Sequence, residues 1–125
     1  MRDFAIHLTH KPGELARIAH ALARAGVNLK SVAGMVIGNQ GMLRVIADDV
    51  DAARRSLQEG NIHFDENEVV TVLLENQAGE LENVAAKLAN ANVNLHAVYV
   101  VGLDGDLVEL AIVADDPKKA KKVLE

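Results

Sequence analysis

The sequence predicts an α+β protein built of two tandem βαββαβ modules, each an antiparallel sheet with its helices on one face. Three observations carry that expectation. The phrase Gly13-Glu14-Leu15 to Ala25-Gly26-Val27-Asn28-Leu29 returns 66 positions later as Gly79-Glu80-Leu81 to Ala91-Asn92-Val93-Asn94-Leu95, with ten of seventeen residues identical. A repeat of that density marks a duplicated supersecondary unit. Around each copy, the apolar spacing alternates between period two and period 3.6 in the same order. Finally, an Asp-Asp pair recurs as Asp48-Asp49 and Asp115-Asp116, 67 apart, so one residue has been inserted in the hairpin region between the marks.

The elements follow in turn. Phe4, Ile6 and Leu8 alternate with Ala5, His7 and Thr9, a strand pattern that Pro12-Gly13 breaks. From Leu15 the period becomes helical, with Leu15, Ile18, Ala19 and Leu22 on one face and Gly26 as the stop. Residues 27–37 read as a strand, 38–41 as a turn and 42–47 as the returning strand. Asp48-Asp49 caps a helix that turns Val50, Ala53 and Leu57 inward and ends at Gly60. Ile62-His63-Phe64 is expected to be a short fourth strand.

The second copy repeats the script. Val70, Val72 and Leu74 give a strand; Leu81, Val84, Ala85 and Leu88 give a helical stripe. Residues 93–101 and 107–114 pair around Asp104-Gly105, a tight-turn dipeptide. Pro117 opens the last helix at its first position, with Ala120, Val123 and Leu124 on one side. Each module thus has the split βαβ, or ferredoxin-like, order. The expected boundaries are 1–66 and 67–125, the second module apparently lacking its last strand. That strand comes from another chain, or the module is incomplete, or the sequence is truncated. Modules of about sixty residues bury a core only marginally, so shared sheet edges or faces are expected, with each other or with a second chain.

Composition narrows the function. Half the residues are apolar and a quarter charged, the formal charge is −5, and cysteine is absent. No disulfide or thiolate chemistry is available, and net negative charge disfavours nucleic acid. The first residues lead into a strand rather than a signal peptide. No apolar run approaches the roughly 20 residues of a membrane span, so a cytoplasmic protein with no membrane partner is expected. Aromatics are limited to Phe4, Phe64 and Tyr99, which leaves an RNA-binding sheet without stacking platforms. Lys118, Lys119, Lys121 and Lys122 read as the solvated face of the last helix. His7, His10, His20, His63 and His96 show no metal-ligand spacing. Ser31, Ser56, Thr9 and Thr71 sit in no nucleophile motif. No enzyme, metal site or cofactor is expected.

The repeated phrase has chemistry of its own. Proline fixes the entry to the turn and glycine frees the backbone, while the helix that starts there presents unpaired N–H groups and a positive dipole end suited to a carboxylate or phosphate. A sharp strand-to-helix connection explains the same residues without a ligand. Glu14 and Glu80 read as first-turn acids that favour the helix dipole, the alternative being ligand contact. Asn28 and Asn94 open the second strand of each copy, where an amide either caps a turn or reads the ammonium and carboxylate of an amino acid.

Lys11-Pro12-Gly13-Glu14-Leu15, Ile18, Leu22 and Ala25-Gly26-Val27-Asn28-Leu29 resemble the ACT domain family, as do Gly79-Glu80-Leu81 and Ala91-Asn92-Val93-Asn94-Leu95. The two copies cover nearly the whole chain. The resemblance implies a regulatory protein whose ligand, usually an amino acid, binds between modules. The loop before the first helix of one module then faces the start of the second strand of another. The implied ligand residues are His10, Lys11, Pro12 and Gly13 with Asn76, Gln77, Ala78 and Gly79 in the loops, and Asn28, Leu29, Asn94 and Leu95 at the strand starts. An asparagine two residues before the proline position is common among amino-acid binders of the family. Here the second copy has Asn76 but Ala78 for proline, whereas the first has Pro12 but His10. Two related but unequal sites are expected, in a homodimer or homotetramer that acts on an amino-acid biosynthetic enzyme or a regulator. The alternative is an oligomerisation or interaction module whose ligand sites are vestigial.

Overall fold

The computed structural model describes all residues, 1–125, and divides them into two compact units, one of Arg2–Asn67 and one of Glu68–Glu125 with Met1. The first contains β1 (Arg2–Thr9), α1 (Glu14–Arg24), β2 (Leu29–Ile37), β3 (Gln40–Ala47), α2 (Val50–Glu59) and β4 (Phe64–Glu68). The second contains β5 (Val70–Glu75), α3 (Glu80–Asn90), β6 (Leu95–Asp104), β7 (Leu107–Ala114) and α4 (Pro117–Leu124).

The first sheet runs β2-β3-β1-β4, the ferredoxin-like order, with Phe4 opposite Val45 and Val45 opposite Val32. Alternation along these strands sends Phe4, Ile6, Leu43 and Val45 to the helix-covered face, where they meet Ile18, Leu22, Ala53 and Leu57. The second sheet is three-stranded, β5-β7-β6, with Val70 and Val98 both opposite Ile112. Its core is wholly aliphatic: Val70, Val84, Leu88, Val93, Ile112, Ala114 and Ala120. The first core adds one aromatic pair, Phe4 and Phe64, edge to face at 5.5 Å between ring centroids.

The predicted helical stripes are narrower than their apolar spacing implies. Only Ile18 and Leu22 of α1, and Val84 and Leu88 of α3, are buried. Ala19 and Ala85 stay exposed, and Leu15 and Leu81 are 57% and 58% exposed. Leu15 and Leu81 occupy the first turn, where they line open crevices instead of the packed core.

One local detail departs from the sequence reading, and two refine it. The fourth strand of the first module is Phe64–Glu68, not Ile62-His63-Phe64. Asn61 takes the left-handed conformation after α2, φ 54°, and buried Ile62 packs into the core before the strand begins. The helix ends as expected with Gly60 as its C-cap, at φ −81°, and the left-handed residue is the next one, Asn61. The inserted residue is Val101, which bulges from β6 where Val100 pairs with Leu110 and Gly102 with Glu109. The first copy runs through the same place without a shift, Gly34 opposite Leu43 and Met35 opposite Met42.

β4 is held by charge. Glu66 accepts from Arg54 Nε at 2.6 Å and Nη2 at 2.9 Å, and is also paired with Arg2. These contacts hold the Glu66 carboxyl down to about 2, the Arg54 hydrogen bonds being the larger cause, and Glu66 and Asp51 together raise the pKa of Arg54 further. Asp65 lies 3.0 Å from His7 Nε2, and that hydrogen bond lowers its carboxyl below the usual carboxylate range. Buried Asp3 accepts from Arg44 Nη1 at 2.9 Å and from Asn67 Nδ2 at 3.1 Å.

Candidate functional site

Each unit carries a crevice at a matching place. The first, about 280 Å³, lies where the loop after β1 meets the start of α1 and the hairpin half of β2 and β3. Leu8, Leu15, Gly34 and Leu43 make its apolar surface, with His10, Lys11 and Glu14 at the polar rim. The second, about 310 Å³, repeats this with Leu74, Leu81, Val100 and Leu110, rimmed by Asn76, Gln77 and Glu80. Both approach the low end of volumes typical of small-molecule sites.

The helix end beside each crevice is open. Gly13 and Gly79 precede α1 and α3 in the left-handed conformation, both at φ 91°, and contribute no side-chain cap. Glycine is required there because a Cβ carries a steric cost at positive φ, whatever the space around it. First-turn N–H groups therefore remain without a side-chain acceptor. The helices at the opposite end are closed: Asp49 accepts from the N–H of Ala52, and Asp116 from that of Lys119.

The predicted residues separate into two groups. His10 and Lys11, and in the second copy Asn76 and Gln77, line the crevices. Pro12, Gly13, Ala78 and Gly79 shape the turns above them and are exposed. Asn28, Leu29, Asn94 and Leu95 lie at the far end of their own modules. Leu29 is opposite Ala47, whereas Thr9 and Ile37 at the crevice end are opposite Gln40. Leu29 and Leu95 pack against their own cores. Asn28 and Asn94 are exposed, and their backbone N–H groups donate to Asp48 and Asp115, each at 3.1 Å. Both strands then shift register past Lys30 and His96.

Sequence reasoning missed the hairpin residues that line the crevices, Gly34, Leu43, Val100 and Leu110, whereas Glu14 and Glu80 stand in the first helical turns as expected. The signal was present in the repeat itself, since these positions correspond at offsets of 66 and 67. A further juxtaposition was invisible to spacing: the His7 and His63 rings meet edge to face at 4.8 Å across β1 and the approach to β4. No group of three or more His, Cys, Asp or Glu residues is arranged to hold a metal ion. No helix is long and apolar enough to cross a membrane.

Comparison with known proteins is decided by shape. No family model matches the chain, and no curated protein matches it. Among solved structures, a protein of Bacteroides thetaiotaomicron shares 24% identity over 98% of this chain and 85% of its own, with a TM-score of 0.86. The ligand-free regulatory subunit of aspartate kinase from Thermus thermophilus shares 15% over 98% and 88%, with a TM-score of 0.69. The aspartate kinase of Synechocystis matches 98% of this chain with 24% of its own length, at 19% identity and a TM-score of 0.64. The fold is that of tandem ACT-like modules. In this ACT-like frame both crevices occupy the same position: the loop after the first strand, the open helix end and the outer half of the central hairpin.

Proposed function

We propose that this chain is a non-catalytic regulatory protein that binds a small ligand, an amino acid, at its ACT-like modules. The observation that carries the reading is the coincidence, in both copies, of an apolar crevice with an uncapped helix N-terminus. The open N–H groups of the first turn suit a ligand carboxylate, and the crevice suits a short apolar side chain. His10 and Lys11, or Asn76 and Gln77, complete the polar rim. Asn28 with Leu29, and Asn94 with Leu95, lie too far along their own modules to join the crevice there, and take part where another module brings them. That requirement favours a homo-oligomer, dimer or tetramer, in which the ligand stabilises one arrangement over another. The aspartate kinase regulatory subunit of shared fold supports an amino-acid biosynthetic enzyme, or a regulator, as the partner.

The test is a thermal-shift and calorimetric screen against the twenty amino acids. At least one is expected to raise Tm at millimolar concentration, with the effect lost in Asn28→Ala or Asn94→Ala. A second reading, an oligomerisation or interaction module with vestigial sites, has its own observation. Val32, Val36 and Val100 on the outer strands are 53%, 49% and 51% exposed, and Ile37 and Leu103 are 73% and 75% exposed. No shift with any amino acid, together with self-association that depends on these residues, selects that reading.

A further inference from the structure

The two crevices share a shape but not a charge. In the first, Glu14 is already occupied: Arg17 donates to its Oε2 from Nε at 3.1 Å and Nη2 at 2.9 Å, and Lys11 Nζ lies 3.8 Å from Oε1. In the second copy the positions of Lys11 and Arg17 hold Gln77 and Asn83. Glu80, the counterpart of Glu14, makes no ion pair there. Two acids, Glu75 and Glu80, and no basic side chain line the second crevice, whereas the first has Lys11 and His10. Beside the uncharged Asn76, Gln77 and Tyr99, the rest of the second crevice is aliphatic, with Val100 and Val108 where the first crevice has Gly34 and Gly41.

We infer that the second crevice selects its ligand through a cationic amine, held by the Glu80 carboxylate, with an aliphatic chain against Leu81, Val100 and Leu110. The inference rests on the reading of the crevices as ligand seats and adds the discriminating group. A carboxylate beside an apolar wall attracts an ammonium more strongly than one in open water, because the wall lowers the local dielectric. The same group excludes a ligand that presents only negative charge. In the first crevice this selection is absent, since Arg17 and Lys11 already neutralise Glu14.

The test uses the whole chain, isotope-labelled, titrated with pentylamine and with pentanoate while backbone amide shifts are followed. Pentylamine is expected to move the amides of Leu81, Val100 and Val108 at about tenfold lower concentration than pentanoate, the scale of one charge-assisted hydrogen bond. Leu15, Gly34 and Gly41 are expected to show no such preference. Glu80→Gln removes the preference, and so does the double substitution Gln77→Lys with Asn83→Arg, which leaves Glu80 in place but gives it the partners of Glu14. Equal or tighter binding of pentanoate at the second crevice overturns the inference, as does a preference that survives either variant. An amino acid that binds this crevice equally well before and after Glu80→Gln overturns the inference alone. Failure of the amine, the carboxylate and all twenty amino acids to bind either crevice overturns the ligand-binding reading and the inference together.

Discussion

The carboxylate of Asp48 accepts the backbone N–H of Asn28 at 3.1 Å, and Asp48 donates its own N–H to the Asn28 carbonyl at 3.0 Å. Asp115 and Asn94 make the same two bonds at the same lengths. The aspartate that ends the third strand of each module thus holds the entry to the second, using only backbone atoms of the asparagine.

That division separates the bonds that hold the strand entry from the exposed carboxamides. Asp48→Ala and Asp115→Ala are each expected to cost about 1 kcal/mol, the usual net worth of such a bond. Asn28→Ala and Asn94→Ala leave stability within about 0.5 kcal/mol, since the exposed carboxamides hold nothing in their own modules. Urea midpoints at constant slope measure both. A larger loss for the asparagine variants removes their use as clean probes of ligand binding.

Gly13 and Gly79 are required by conformation and not by space, because a Cβ at either meets nothing within 4 Å. Gly13→Ala and Gly79→Ala are expected to destabilise by about 1–2 kcal/mol each. Asparagine, which tolerates positive φ better, costs less. Thermal unfolding of the four single variants gives the order, and equal losses for Ala and Asn overturn the conformational account.

Glu66 links the first module to pH. Its carboxyl is depressed in the folded state, from an ordinary value of 4.5 to about 2. A depressed carboxylate stabilises the fold above its unfolded value, and that contribution fades as pH falls through the folded one. Stability is therefore expected to decline between pH about 4.5 and about 2, with Asp65 contributing in the same direction. Glu66→Gln flattens the decline, as measured by denaturant unfolding across that range.

Leu22 and Leu88 are repeat-equivalent and each 1% exposed in its own core. Truncation to alanine is expected to cost about 2–5 kcal/mol at either position. Hydrogen exchange by residue distinguishes the units: Leu22→Ala accelerates exchange in β1 and β3 first, and Leu88→Ala in β5 and β7. Uniform acceleration across both units by either variant contradicts two separate cores.

Much of the fold was legible because periodicity and duplication are local properties. The two copies checked each other, so the helices and the central hairpins could be placed twice over. The fourth strand was not legible. Asp65-Glu66-Asn67-Glu68 is four polar residues in a row, the composition of a loop, and only Arg2, Asp3 and His7 of β1 with Arg54 of α2, meeting its side chains, make it a strand. Leu15 and Leu81 fitted the helical stripe, yet they face open crevices and not the core, which spacing along the chain does not reveal. Of the candidate crevice, the loops were legible, because Pro-Gly and the helix start are written in sequence. The facing wall of Gly34, Leu43, Val100 and Leu110 was not, since strand register sets it. The apparent cap role of Asn28 belongs to Asp48, which is twenty positions away in sequence.

Each module has one helix start closed by an aspartate and one left open behind a glycine. The two ends therefore tolerate change differently. Substitutions at the closed end weaken the scaffold itself. At the open end, the rim positions 10, 11, 76 and 77 are exposed and bear on no core, so they can be recoded freely while both glycines are kept. A library confined to those four positions is expected to keep the fold of the parent chain, as thermal unfolding would show.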